Sequence, residues 1–365
     1  MMIGHALVAF AIAAGSAGYR RWARADALAV GLLAAAFAMA PDVDMLYAII
    51  GVLRVGMADV WTVTDAFWST GNVIHRAVTH SLLAGSVTAV AVTLIATGRA
   101  GVIDAGARFD RRLIGIAVGV GLLGTLVVAA LLEGGVLAAT VMAAFAIAGT
   151  VIARFGLDRL ELSPWIVLLA ALVGLLSHPF GDLFTGEPPL FLYPLDITLI
   201  TERIALHPDP TLHLLGTFGL ELAAAWVAIL VFFRLSGGSL RRSIDLRASI
   251  GIPYAAVALA LPAPTLEVSY HFVFSILAVG LLGIVTAAIS PLRRVRRLSL
   301  PQIRRWSLSI DSILQATDAQ RSRLSFGDWL ALQPSAIRAF VTGVATVTVA
   351  AIAYTAVYVT VTIVL

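Results

Sequence analysis

Seven histidines, several of them a few residues from an aspartate, are the groups in this chain best able to do chemistry. There is no cysteine, so a metal would be held by imidazole and carboxylate alone. That donor set suits Zn²⁺, with Mn²⁺ as the alternative. In Ser177-His178-Pro179-Phe180-Gly181-Asp182 the His and Asp stand at i and i+4, so one helix face presents both to a single cation. A His–Asp hydrogen bond that only steadies helix packing has the same spacing. In Pro41-Asp42-Val43-Asp44 a proline interrupts an apolar run beside two carboxylates. Two carboxylates this close repel unless a cation or a proton lies between them; taken alone, the motif also reads as a polar surface turn. The third group is His75-Arg76-Ala77-Val78-Thr79-His80-Ser81. On a straight helix its two His lie about 140° apart. Either a bend brings them together, or one is a ligand and the other supports it. Arg76 suits a phosphate oxygen, a pairing with Asp42 or Asp44, or anchoring at the interface. His213 has Glu221 two turns on, whereas His207 reads as a solvated loop residue and His271 as interfacial.

These residues need elements to position them, and the composition says which. Of 365 residues, 60% are hydrophobic and 13% charged, with mean hydropathy +0.96. A soluble domain carries about 25% charged residues, so the solvent that fits is a bilayer. About 20 apolar residues cross it as a helix. Such spans are expected at 3–18, 27–47, 77–97, 113–132, 135–153, 165–184, 212–233, 249–263, 268–290 and 337–364, an all-α membrane bundle of about ten spans. Glu133-Gly134-Gly135 divides the long apolar run 113–153 into a tight helical hairpin. All 25 basic residues are Arg, and 22 of them fall in alternate loops. The other side holds only Arg54, Arg76 and Arg203. The positive-inside rule puts the rich loops in the cytoplasm, so both termini and all the His-rich segments are expected outside. The pI of 9.8 therefore reflects topology signals, and no nucleic-acid partner is expected.

The expected organisation is a membrane core over 1–215 carrying the hairpin, further transmembrane helices over 216–290, a cytoplasmic segment over 291–336 and a last transmembrane helix over 337–365. In the cytoplasmic segment Ile303, Trp306, Ile310 and Ile313 recur at helical spacing beside Arg304 and Arg305. That reads as a basic amphipathic helix on the inner leaflet, or else as a disordered linker. Nothing at the N-terminus resembles a cleavable signal peptide, and the chain shows no internal repeat or Gly-rich phosphate loop.

The order of the motifs is familiar. A His near the N-terminus, Pro-Asp-x-Asp, His-Arg-x-x-Thr-His-Ser and Ser-His-x-x-x-Asp-x-x-Thr, followed by Gly186 and Tyr193-Pro194, resembles the membrane-bound metal-dependent hydrolase family known as YdjM-like. The resemblance covers about residues 1–97 and 165–197. That family in turn resembles zinc-dependent phospholipase C. The likeness implies hydrolysis of a phosphoester, with His5, Asp42, Asp44, His75, His178 and Asp182 as ligands for one to three ions. Asp42 or Asp44 would act as general base and Arg76 would hold the phosphate. Thr79, His80, Ser81, Thr185 and His213 would support the ligands from behind. A His-x-x-x-Glu after His178 is absent, so His213 or Glu221 would have to fill that position.

The leading expectation is thus a membrane-embedded hydrolase whose substrate is a membrane lipid or lipid-linked phosphoester. Two rivals stand beside it: an ion or proton transporter, which needs polar residues through the depth of the spans, and a non-enzymatic scaffold with a structural metal.

Overall fold

The computed structural model describes residues 2–56, 58–73, 75–76, 78–98, 111–195, 197–295 and 334–364. The described residues are helical with no strand, and they form two compact units, Met1–Ala205 and Leu206–Leu365.

The first unit contains α1 (Met2–Tyr19), α2 (Arg24–Met39), α3 (Ala48–Val55), α4 (Val60–Gly71), α5 (Leu82–Gly98), α6 (Arg111–Asp158) and α7 (Pro164–Gly181). Three short 3₁₀ segments, Pro41–Tyr47, Val78–His80 and Asp182–Phe184, adjoin the ends of α2, α5 and α7. α1 packs on α2, α2 on α7, and α5 on α6 and α7. Leu33, Phe37, Met142, Phe145, Val167 and Leu175 fill the core between them. Small residues set the helix approach: a Cβ on Gly174 would lie 2.5 Å from the Ala34 carbonyl and 2.6 Å from Phe37 Cβ, so α7 and α2 meet at backbone level.

α6 is 48 residues long, about 72 Å if straight. It is not straight. Gly135 has φ 70 and ψ −164, a conformation that only glycine adopts readily. Ile116 lies against Gly98, and Arg154 donates to the Ala96 carbonyl at 3.1 Å, so both limbs of α6 reach the same end of α5. The chain therefore reverses at Gly135 into the hairpin expected from Glu133-Gly134-Gly135.

Five described helices are long and apolar enough to cross a membrane: Arg112–Asp158, Pro164–Phe184, Pro210–Ser236, Tyr270–Ala288 and Ala336–Thr362. The pair Arg24–Met39 and Pro41–Val55, bent by 41°, makes a sixth if it counts as one span. The described residues thus account for five or six of the ten expected spans. Ile3–Tyr19 and Leu82–Gly98 are shorter apolar helices. The expected span 27–47 breaks at Pro41, whose ring cannot continue the hydrogen-bond ladder. The expected span 77–97 begins only at Leu82, because Val78–His80 turn as a 3₁₀ segment. The expected span 249–263 is mostly a 3₁₀ helix, Leu246–Ala256, with Pro253 inside it.

The second unit contains α8 (Pro210–Ser236), α9 (Leu240–Ser243), the 3₁₀ helix Leu246–Ala256, α10 (Val257–Ala260), α11 (Tyr270–Val295) and α12 (Pro334–Val359). α12 packs on α11 and on the 3₁₀ helix around Tyr254, Phe272, Ile276 and Tyr354. The last helix packs with the preceding ones in one unit, Leu206–Leu365. Of the expected basic segment, 291–295 continue α11 and 334–336 open α12, while 296–333 lie outside the described residues.

Candidate metal centre

Four helix ends meet at one end of the first unit: the start of α1, the end of α2, the approach to α5 and the end of α7. They bring together His5, Asp42, Asp44, His75, His80, His178 and Asp182. All are buried except His75, which is partly so. They form three overlapping groups with ligand atoms within 4.8 Å of one another: His5–His178–Asp182, Asp42–His80–His178 and Asp44–His75–His80.

His80 was expected to stand behind the ligands; it lies among them. Of the two arrangements open to His75 and His80, the bend is the one present. Arg76 takes φ 69, in the left-handed region that a non-glycine residue avoids at about 1–2 kcal/mol. The 3₁₀ turn then brings the two ring centroids to 4.8 Å.

Hydrogen bonds fix how these rings point. Asp44 can only accept, so Thr79 Oγ1 donates to its Oδ2 at 3.0 Å and His75 Nδ1 donates to its Oδ1 at 3.0 Å. Having spent its hydrogen, Thr79 accepts from His80 Nδ1 at 2.9 Å. His178 Nδ1 donates to the Ala38 carbonyl at 2.6 Å. Both rings thereby present an unprotonated Nε2 inward, and the two Nε2 atoms face each other at 2.9 Å. Two lone pairs at that distance repel unless a cation or a proton sits beside them. Asp42 Oδ1 is 3.6 Å from His178 Nε2, and Asp182 Oδ2 is 3.2 Å from His80 Nε2. Asp42 Oδ2 and Asp182 Oδ2 are buried with no hydrogen-bond partner. With neutral rings, three carboxylates and the single guanidinium of Arg76 leave two negative charges uncompensated, an expensive state in a buried site. A divalent cation answers the charge, the lone pairs and the orphaned oxygens together, so the residues fit a metal.

Arg76 is held from below. Its guanidinium donates to Thr185 Oγ1 at 3.0 Å, to the Glu187 carbonyl at 3.2 Å and to Asp182 Oδ1 at 3.5 Å. Gly186 is glycine for a steric reason: a Cβ there would overlap the guanidinium. Gly181 likewise leaves room for the His5 ring.

The supporting residues divide. Thr79 orients His80, and Thr185 holds Arg76. The Ser81 hydroxyl is spent on the Phe191 and Tyr193 carbonyls, at 3.1 and 2.8 Å, and ties the loop after α7 to the start of α5. Tyr193 in that loop has its pKa raised by burial and by the Glu133 carboxylate. His213 belongs to the second unit, where its Nδ1 accepts the Leu206 N–H at 3.1 Å. Glu221 lies on α8 of that unit. His207 accepts the Asp209 N–H at 3.0 Å in an exposed loop.

The model of the YdjM inner membrane protein family matches residues 1–243. This stretch covers every residue of the cluster and extends through α8. No curated protein and no solved structure matches the chain. With two thirds of its length matched and several helices able to cross a membrane, the chain is a multi-pass membrane protein that belongs to the YdjM inner membrane protein family.

Proposed function

We propose that the protein is a metal-dependent hydrolase embedded in the membrane, acting on a phosphoester at the extracytoplasmic side. The observation that carries this reading is the pair of Nε2 atoms on His80 and His178, 2.9 Å apart with each ring held through its other nitrogen, beside buried carboxylate oxygens without a hydrogen-bond partner.

His5, Asp42, Asp44, His75, His80, His178 and Asp182 would hold one to three ions, Zn²⁺ by donor type with Mn²⁺ as the alternative. A divalent ion bound there supplies Lewis acidity and lowers the pKa of water toward about 7. Both oxygens of Asp44 are engaged by His75 and Thr79, whereas Asp42 Oδ2 has no partner. Asp42 is therefore the general base that takes the proton from water. Arg76, fixed by Thr185 and the Glu187 carbonyl, holds a phosphate oxygen. The Thr79–Asp44 and Ala38 bonds keep both imidazoles in the tautomer that binds. The Arg-poor side on which the cluster lies, and the likeness of its motif order to zinc-dependent phospholipase C, support the external placement and the substrate class.

An ion pathway would need polar groups along the depth of the unit. Away from the cluster, its buried polar side chains among the described residues are Thr88 and Thr93, and the Thr93 hydroxyl is spent on the Ala89 carbonyl. That argues for chemistry at one end over conduction.

The test is metal analysis of the purified protein together with a phosphoester panel. Stoichiometric metal and turnover that disappears in His178→Ala are expected. Metal-free wild-type protein, or full turnover in the variant, overturns the reading.

A further inference from the structure

Between Asp44 and His75 the chain makes a detour that the metal cluster does not use. α3 starts four residues after Asp44, and α4 ends four residues before His75. Asp44 and His75 hydrogen-bond at 3.0 Å and close the base of the detour. The two helices pack on each other so tightly that a Cβ on Gly51 would strike the Ala66 carbonyl and Thr70. Asp59 caps α4, accepting the N–H groups of Trp61 and Thr62 at 3.0 and 3.2 Å. This is a well-formed helical hairpin, although sequence reading leaves 48–76 as loop.

Its outer surface is the unusual part. On α3, Ile49, Ile50 and Leu53 are exposed, Leu53 at 74%. On α4, Trp61 and Trp68, two turns apart, are 41% and 44% exposed, and Asp65 and Ser69 are exposed on the same side. One arm is oily, the other mixes indole with polar groups, and neither suits open water. Nor can either arm cross the bilayer alone, since 8 and 12 residues rise only about 12 and 18 Å against a core of about 30 Å. A surface with an oily side and Trp at its edge matches the layer where acyl chains meet headgroups. The surface also continues α2, which leads into it through the 41° bend.

The most accessible edge of the cluster lies at the foot of this hairpin. His75 and Arg76 are its least buried residues, at 12% and 16% side-chain exposure. Val73, exposed at 69%, and Leu190, exposed at 43% and bonded through its N–H to the Arg76 carbonyl, flank them. A cation that can grip phosphate thus stands between two apolar side chains.

We infer that the α3–α4 hairpin lies in the headgroup layer of the membrane and that the accessible edge at its foot takes a phosphoester carried on a lipid, not one dissolved in water. The second half of this inference rests on the hydrolase reading; the first half does not. The chain, which has no cysteine, takes single nitroxide labels at Leu53→Cys and Trp68→Cys in phosphatidylcholine–phosphatidylglycerol vesicles. Collision with oxygen and with a water-soluble nickel chelate then gives their depth. Both labels are expected within about 10 Å of the phosphate plane, Leu53 the deeper. Labels in bulk water, at the bilayer centre, or shielded from both agents by a partner chain overturn the placement. A second arm compares hydrolysis of a vesicle phospholipid and of a short-chain, water-soluble phosphodiester by Leu53→Asp protein with unchanged metal content. At least a tenfold loss on the phospholipid with the soluble ester unchanged is expected. An equal loss on both, or no loss, overturns the lipid preference. If the wild type cleaves neither ester, the hydrolase reading falls and takes the lipid preference with it, while the label depths still decide the hairpin.

Discussion

The Nε2 atoms of His80 and His178 stand 2.9 Å apart although 98 residues separate the two in sequence. Each ring is held by its other nitrogen, His80 through Thr79 to Asp44 and His178 directly to the Ala38 carbonyl. A first prediction follows. His80→Ala or His178→Ala abolishes divalent-metal binding measured by calorimetry, while Thr79→Val, which removes only the orienting hydroxyl, weakens it by about 10–100-fold. Equal affinity in Thr79→Val and wild type would show that the hydroxyl does not set the ring.

The two glycines beside the site give a steric test. Gly181→Ala pushes a methyl into the His5 ring, and Gly186→Ala pushes one into the Arg76 guanidinium. Overpacking of this kind costs about 1–3 kcal/mol. Gly181→Ala is expected to lower metal affinity. Gly186→Ala is expected to leave metal content intact and to reduce phosphoester turnover. The reverse pattern would separate His5 from the metal and Arg76 from the substrate.

Arg76 itself holds a strained backbone for the sake of its side chain. Arg76→Gly relieves the positive φ, and it also removes the guanidinium. Hydrolysis is expected to fall by about 10²–10³-fold, the usual effect of losing one charge-stabilising donor. Arg76→Lys recovers little, because one ammonium cannot meet Thr185, the Glu187 carbonyl and Asp182 with a planar fork. Full activity in either variant removes Arg76 from the chemistry.

Sidedness is open to direct measurement, since an introduced cysteine is the only thiol. In intact cells a membrane-impermeant maleimide is expected to label Glu187→Cys, on the cluster's side. Glu161→Cys, between the Arg-rich end of α6 and α7, is expected to react only after permeabilisation. The opposite labelling would turn the protein over in the membrane.

In the second unit, Asp245 accepts the Arg247 N–H at 3.1 Å and pairs with Arg338 at 2.8 Å. The Arg247 N–H first, then the charges of Arg247 and Arg338, hold its carboxyl below the ordinary carboxylate value. A depressed folded-state pKa adds stability above the unfolded pKa of about 4, and that stability is lost as pH falls through the folded value. Both arginines are well exposed, so solvent screening keeps the effect under about 1 kcal/mol. Unfolding of Asp245→Asn and wild type in detergent should differ slightly at neutral pH and converge in acid. A gap that persists in acid would point to lost packing instead of lost charge.

Much of this site is legible in the sequence because metal ligands need particular side chains, and those cannot be disguised. His5, Asp42, Asp44, His75, His178 and Asp182 announce themselves by type and by lying on the Arg-poor side. The role of His80 is hidden, because it depends on a positive φ at Arg76, and an arginine carries no signal for that conformation. The α3–α4 hairpin was readable in part: Asp59 before Val60-Trp61-Thr62 has the form of a helix cap. Its apolar residues are too few for a span, however, and a search for spans passes over it. The reversal at Gly135 follows from the glycine pair. The difference between the ten expected spans and the five or six long apolar helices among the described residues has another cause. Hydropathy does not register that α1 is short, that α5 begins only at Leu82 or that Pro253 sits inside a 3₁₀ helix.

The gap of 98 residues between His80 and His178 also orders events during synthesis. When α5 has left the ribosome, the nascent chain already carries His5, Asp42, Asp44, His75 and His80, yet the nitrogen opposite His80 does not exist. It arrives only after the α6 hairpin has been made and α7 has been threaded into the bilayer. The groups that draw on His178 and Asp182 are thus completed late in synthesis, and a chain truncated before α7 retains Asp44, His75 and His80 without the pair that brings the cluster together.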